Sequence, residues 1–140
     1  MKNRSLLFAF ALSISLFSTS CSDDDNDGET LVPLLGKWNI MQVGTTIAGE
    51  EVLIDAPQNE SGCNKDYLDF KIDNDLNQGD YDSTDSPCEL IPTAGTYSRD
   101  NNNLTTVLDG ISKTQDIVNL TLSELKVRDA VGIITVYERD

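Results

Sequence analysis

Three cysteines, at positions 21, 63 and 88, carry the most reactive side chains of this 140-residue chain. The chain contains no histidine, so no imidazole is present to activate a thiol or a hydroxyl as a general base. If Cys21 is modified, Cys63 and Cys88 remain as a pair, which favours a disulfide in an oxidising compartment. Two free thiols or two metal ligands are the alternatives, although zinc is disfavoured because no histidine can complete its ligand set.

The residues before Cys21 have the three parts of a secretory signal. Lys2 and Arg4 form a basic start, residues 6–17 are apolar, and residues 18–20 are small and polar. The apolar run is too short to remain as a spanning helix, which needs about 20 residues. Small residues before a cysteine also fit the peptidase that cleaves lipoprotein precursors. We therefore expect the first twenty residues to be a signal peptide and Cys21 to be lipidated, so that its acyl chains reach the membrane.

An acidic run begins directly after Cys21, with Ser22, Asp23, Asp24 and Asp25. This run resembles the export signal of surface-displayed lipoproteins in one large group of Gram-negative bacteria. The resemblance implies an outer-membrane lipoprotein that faces the exterior. A solvated linker is the alternative, because like charges repel one another and keep a segment extended. Under either interpretation, residues 21–30 are expected to form a lipidated tether and residues 31–140 a single domain.

Acidic side chains dominate the segment that follows the signal. Without Lys2 and Arg4 the chain has eight basic side chains against 24 acidic ones, which gives a formal net charge of −16. This charge repels nucleic-acid phosphates and anionic lipid surfaces, so neither is expected as a direct partner. The many carboxylates are interpreted as a solvated surface and not as a catalytic pair. We expect no enzymatic activity and no cofactor, and the oligomeric state is not predicted.

One segment, residues 73–80, spaces oxygen ligands like the start of a calcium-binding loop. Its glycine falls one residue late, and position twelve of the loop is Thr84 where glutamate is required. Turn chemistry is therefore the preferred interpretation of residues 74–79, and no metal site is predicted.

Short runs of β-branched, aromatic and leucine residues alternate with turn-forming residues along the rest of the chain. The pattern predicts strands at 34–43, 51–54, 66–73, 80–82, 95–99, 104–108, 114–120, 123–128 and 132–138. A loop that includes Pro92 is expected before the fifth of these. The connections are of hairpin length, so we predict an all-β, antiparallel up-and-down meander of about eight strands that closes into a barrel. A sandwich is the alternative, because periodicity does not distinguish the two.

The first predicted strand contains Gly36-Lys37-Trp38, and Gly95-Thr96-Tyr97 repeats the Gly-x-aromatic form. Over residues 32–140 the chain resembles the small lipocalin-like lipoproteins of Gram-negative bacteria. The resemblance implies a closed barrel whose end is plugged by Trp38, with Gly36 allowing the chain to bend as it enters the sheet. It also implies that a basic side chain from near the last strand packs across the tryptophan, for which Arg128 and Arg139 are both candidates.

The last strand resembles the end of the related fatty-acid-binding barrels, which carry an arginine two places before a tyrosine. Thr135 occupies that position here, so the resemblance does not extend to a clamp for a carboxylate ligand. We therefore expect a neutral or cationic apolar small molecule in the barrel. The alternative is an interaction module whose barrel is filled by its own side chains and whose loops engage an envelope or host partner.

Overall fold

Nine antiparallel strands form one sheet in the computed structural model, which describes residues 34–140. The predicted signal peptide, Cys21 and the acidic run from Ser22 to Asp25 lie outside the described residues. No helix within residues 34–140 combines the length and apolar character needed to cross a bilayer. The strands are β1 Gly36–Ile47, β2 Glu50–Asp55, β3 Tyr67–Phe70, β4 Asp75–Asp82, β5 Glu89–Asp100, β6 Asn103–Leu108, β7 Ile111–Leu120, β8 Glu124–Asp129 and β9 Ile133–Arg139.

Strand β1 closes the sheet into a barrel because it pairs along both of its edges. One edge pairs with β9, in the register that sets Trp38 opposite Arg139. The other edge pairs first with β3 and then, from Gln42 onward, with β2. Strands β1 and β3 to β9 thus form a closed eight-stranded meander, and β2 extends from it as the second half of a hairpin. The predicted all-β meander and its closure are confirmed.

Alternation along the strands fills one end of the barrel with apolar side chains. Trp38, Leu76 and Leu125 have no exposed surface, and Phe70 and Leu104 are 1% exposed. These residues lie on different strands yet belong to one contact cluster, as expected when every second side chain points inward. Burying each such side chain contributes about 1.5–3 kcal/mol to stability. This end of the barrel is therefore filled by its own side chains.

The β1–β2 hairpin folds back over the outside of the barrel. The register of β1 against β9 shifts between Ile40 and Gln42, which marks a bulge, and bulges bend and twist a strand. Beyond it, the ammonium group of Lys126 on the outer face of β8 lies 2.7 Å from the carboxylate of Glu51 in β2. Ile134 alternates with the inward residues of β9 and so lies on the outer face of the strand, yet it is only 1% exposed. We attribute its burial to the overlying hairpin.

Three details of the predicted elements are wrong. The predicted strand 66–73 ends at Phe70. Asp73 and Asn74 adopt φ values of 66° and 67° and turn the chain, so Ile72 is 73% exposed. The segment 74–79 is not a turn, because β4 begins at Asp75. Pro92 lies within β5, where it faces only β4; pairing with β6 begins at Gly95, so the missing N–H is at an unpaired edge.

Candidate functional site

The closed end of the barrel is built around the stacked side chains of Trp38 and Arg139. The guanidinium carbon of Arg139 lies 4.1 Å from the centre of the indole ring. The indole N–H donates to the carbonyl of Leu34 at 2.7 Å, and the Arg139 guanidinium donates to the carbonyls of Leu35 and Leu122 at 2.6 and 2.7 Å. These three donors are directed at backbone carbonyls of the protein, so the stacked pair contributes to the closure of this end of the barrel.

The structure resolves the choice between the two arginine candidates. Arg128 lies on the outer face of β8, with a guanidinium nitrogen 3.7 Å from the carboxylate of Asp116, so Arg139 is the residue that packs on Trp38. Gly36 has a φ of 117°, and a Cβ added there would lie 2.8 Å from Nη1 of Arg139. The Gly36-x-Trp38 motif therefore belongs to the closure of the barrel.

A disulfide joins Cys63 to Cys88, as the sequence predicts, and it fixes the loop between β2 and β3. It connects this loop to the β4–β5 hairpin across a separation of 25 residues. The same loop is hydrogen-bonded to β1 by Asn59, whose side-chain amide donates to the carbonyl of Ile40 at 2.8 Å and whose side-chain oxygen accepts the N–H of Asp66 at 3.0 Å. The loop is thus held on both sides and acts as a wall of the barrel where β3 is short.

This wall borders an open pocket of about 600 Å³, which we call the inner pocket. Its floor includes Ile40, Leu68 and Tyr137, which lie next to the plugged end. Cavities of several hundred Å³ are the size that holds a small organic ligand. The full lining consists of Ile40, Gln58, Glu60, Asp66, Tyr67, Leu68, Gln78, Asp80, Tyr81, Asp82, Thr84, Ile91 and Tyr137.

The inner pocket contains one largely buried carboxylate, that of Asp66. Asp66 is only 9% exposed, and its Oδ1 accepts the backbone N–H of Tyr81 at 2.8 Å. Burial raises the pKa of Asp66, the Tyr81 hydrogen bond lowers it, and the negative charges of Asp80 and Glu60 raise it further. Burial also raises the pKa of Tyr137 to about 12, so its hydroxyl remains protonated at neutral pH.

The side chains that extend from β4 into the inner pocket are polar. The Gln78 amide donates to both carboxylate oxygens of Asp80 at 2.8 Å. Leu76, Gln78 and Asp80 alternate on one face of β4, so the strand changes from apolar to polar as it leaves the filled end of the barrel. Sequence reasoning missed Asp66, Gln78 and Asp80 as site residues. The alternation of β4 was the available signal, but its Asn, Asp and Gly content was interpreted as a turn.

Two further surface features lie near the β1–β2 hairpin. An outer groove of about 630 Å³ runs along the outside of β9, between Asp55 and Lys65 on one side and Glu124 on the other. An apolar patch, formed by side chains of β1, β2 and β9, surrounds a shallow depression of about 240 Å³. Its most exposed members are Ile47, Val52, Ile54 and Ile133.

Residues 34–140 contain no group of three histidine, cysteine or acidic side chains arranged to hold a metal ion. Cys63 and Cys88 are bonded to each other, so neither is available as a thiolate nucleophile. The inner pocket brings an apolar floor and carboxylate side chains together in one open space.

Comparison with known proteins identifies the fold and the family. The sequence profile of the family described as Lipocalin-like domain matches residues 34–127. The solved structure of a lipocalin-like protein from Bacteroides uniformis superposes with a TM-score of 0.60 at 13% identity, covering 76% of this chain and 98% of that one. An uncharacterized protein from Bacteroides eggerthii superposes with a TM-score of 0.55 at 11% identity, with the same coverage of both chains. No curated protein matches the sequence. Because the profile spans more than half of its length, the chain belongs to the lipocalin-like domain family.

Proposed function

We propose that this protein is a non-enzymatic lipoprotein of the outer membrane that binds a small, largely apolar molecule in the inner pocket. The observation that carries the proposal is the pocket of about 600 Å³ next to the end of the barrel that is filled by its own side chains. A barrel that served only as a scaffold has no need of such a space.

The residues that line the inner pocket indicate how a ligand would be oriented in it. Ile40 and Leu68 form an apolar floor, and Tyr81 and Tyr137 are aromatic residues of the same lining. Carboxylates and amides lie farther from the plug, as described for β4. A ligand with an apolar part against the floor and a polar part toward β4 satisfies both regions. This refines the expectation of a neutral or cationic apolar molecule.

Filling the floor tests whether the inner pocket is the binding site. We expect the soluble 22–140 fragment to bind a neutral apolar dye such as Nile red, with fluorescence enhancement that saturates at one dye per protein. Leu68→Trp should weaken binding about tenfold or more, because the larger side chain occupies the floor. Val131→Trp is the matched control, since Val131 is 83% exposed in the turn before β9. If the fragment does not bind the dye and no small molecule is extracted from envelope-purified protein, the ligand-binding proposal is wrong.

The proposed membrane attachment rests on the sequence before residue 34. Cys21 would carry the lipid, and Ser22, Asp23, Asp24 and Asp25 would direct export to the cell surface. We expect Cys21→Ala to abolish metabolic labelling with palmitate, and replacement of the three aspartates by asparagine to protect the protein from protease added to whole cells. The same aspartate replacements should leave palmitate labelling intact. Labelling that persists in Cys21→Ala would refute the lipidation proposal.

The alternative function is an interaction module, and the apolar patch on the β1–β2 hairpin favours it. Ile54 is 60% exposed and Ile47 58% exposed, and β2 pairs with β1 along only one of its edges. Exposed apolar surface next to a free strand edge is typical of protein docking sites. In this case, Ile54→Glu should abolish cross-linking to a neighbouring envelope protein in intact cells, whereas Leu68→Trp should leave the cross-link unchanged.

A further inference from the structure

Asp66 is a buried carboxylate without a cation. It is 9% exposed, and the one hydrogen bond that the structure shows for its side chain comes from the Tyr81 N–H to Oδ1. Its second oxygen, Oδ2, accepts no hydrogen bond from residues 34–140, and no lysine or arginine forms an ion pair with it there. Because no buried side-chain oxygen or nitrogen of the described residues lacks a hydrogen-bond partner, Oδ2 must be accessible from the pocket, where it can receive a partner from outside.

The charges around Asp66 favour a partner of positive charge. Glu60 and Asp80 line the same pocket, and both interact unfavourably with the Asp66 carboxylate. No lysine or arginine is among the side chains that line the pocket. The acidic character of the whole chain adds a long-range field of the same sign, which attracts cations and repels anions. A positively charged group is therefore the complement of this pocket.

The size and walls of the pocket select an organic cation over a metal ion. A space of about 600 Å³ is far larger than an ion requires, and the part of the chain that the structure describes offers no metal-binding group of three side chains. Tyr81 and Tyr137 are among the lining residues, whereas the ring of Tyr67 already carries the Lys37 ammonium, 4.2 Å from its centre. Aromatic faces attract alkylammonium and guanidinium groups, and carboxylates hydrogen-bond to them.

We propose that the inner pocket recognises a ligand with an ammonium or guanidinium group, which is held by Asp66 and Asp80 while its apolar part lies on Ile40 and Leu68. This inference rests on the proposed ligand-binding function and adds the chemical class of the ligand. It accounts for the Asp66 carboxylate, whose Oδ2 has no partner among the described residues and which an uncharged apolar ligand leaves without a cation.

Two probes of equal chain length test the inference by isothermal titration calorimetry at pH 7. Octylammonium carries the charge and 1-octanol does not. We expect octylammonium to bind at least tenfold more tightly, since about 1.4 kcal/mol of added interaction corresponds to a factor of ten. Asp66→Asn and Asp80→Asn should each remove most of this preference and leave octanol binding unchanged. Asp116→Asn, which removes an acid from the outer face of β7, is the matched control and should change neither affinity.

The outcomes separate the two proposals. If both probes bind equally and Asp66→Asn has no effect, the cation inference is wrong and the ligand-binding function stands. If neither probe binds, the cation inference is wrong, and the Nile red titration decides whether the ligand-binding function stands. A stability measurement shows whether Asp66→Asn still folds. Because burial raises the pKa of Asp66, the charged carboxylate that prevails above this pKa lowers the stability of the ligand-free protein. The asparagine variant should therefore be at least as stable as the wild type at pH 7, and the difference should shrink as the pH falls.

Discussion

Gly36 and Arg139 share one small space at the plugged end of the barrel. The glycine backbone has a φ of 117°, a conformation that other residues rarely adopt, and Nη1 of Arg139 lies where a Cβ would point. The arginine is in turn held by stacking on Trp38 and by two backbone carbonyls. At the scale of single residues, the motif that resembles the family signature is thus explained by packing.

Substitution of this glycine tests that explanation. Gly36→Ala should lower the free energy of unfolding by about 2–3 kcal/mol, because backbone strain of about 1–3 kcal/mol is joined by displacement of Arg139. Gly110→Ala is the control, since Gly110 also has a positive φ of 76° but an added Cβ there meets no atom within 4 Å. Urea unfolding of both variants measures the difference. Equal losses in the two variants would show that Arg139 moves aside without cost.

At the scale of elements, most strands are predictable from the sequence and most of the site is not. Hairpin turns such as Asp109-Gly110 are local signals, and both residues have the positive φ that their types favour. β4 was obscured because its Asn77, Gly79 and Asp80 are turn-forming residues that tertiary pairing with β3 and β5 holds extended. The site depends on that strand and on Asp66, which the pairing of β3 with β4 and the hydrogen bond from the Tyr81 N–H place beside β4. Such long-range juxtaposition leaves no local pattern.

The disulfide provides the prediction at this scale. A Cys63→Ser, Cys88→Ser double variant should lose about 3.5 kcal/mol of unfolding free energy, as chain entropy predicts for a loop of this length. Hydrogen exchange should increase in the loop 56–66, whereas β6 to β8, which the disulfide does not touch, should exchange as before at low denaturant. Cys21→Ser in the 21–140 chain is the control. Unchanged exchange in the loop would mean that the hydrogen bonds of Asn59 suffice to hold it.

At the scale of the whole molecule, the acidic charge opposes folding. A formal net charge of −16 on residues 21–140 places like charges close together in the compact state, and repulsion between them is reduced in the expanded chain.

Salt should relieve this repulsion. Because the screening length falls from about 30 Å at 0.01 M to about 10 Å at 0.1 M, the melting temperature of the 22–140 fragment should rise by several degrees between these ionic strengths. Differential scanning calorimetry measures the shift, with sucrose at matched osmolality as the control for general solute effects. A melting temperature that does not change with salt would show that the carboxylates are too far apart to repel one another.

The position of Leu34 determines which end of the barrel is attached to any anchor before it. The described residues begin at Leu34, whose carbonyl accepts the indole N–H of Trp38 at the plugged end. The 12 residues from 22 to 33 reach at most about 40 Å when fully extended. If Cys21 carries the proposed lipid, the plugged end is the end attached to the bilayer, and a tether of this reach lets the barrel stand clear of the bilayer surface. A ligand would then be taken up from the surrounding water and not directly from the lipid.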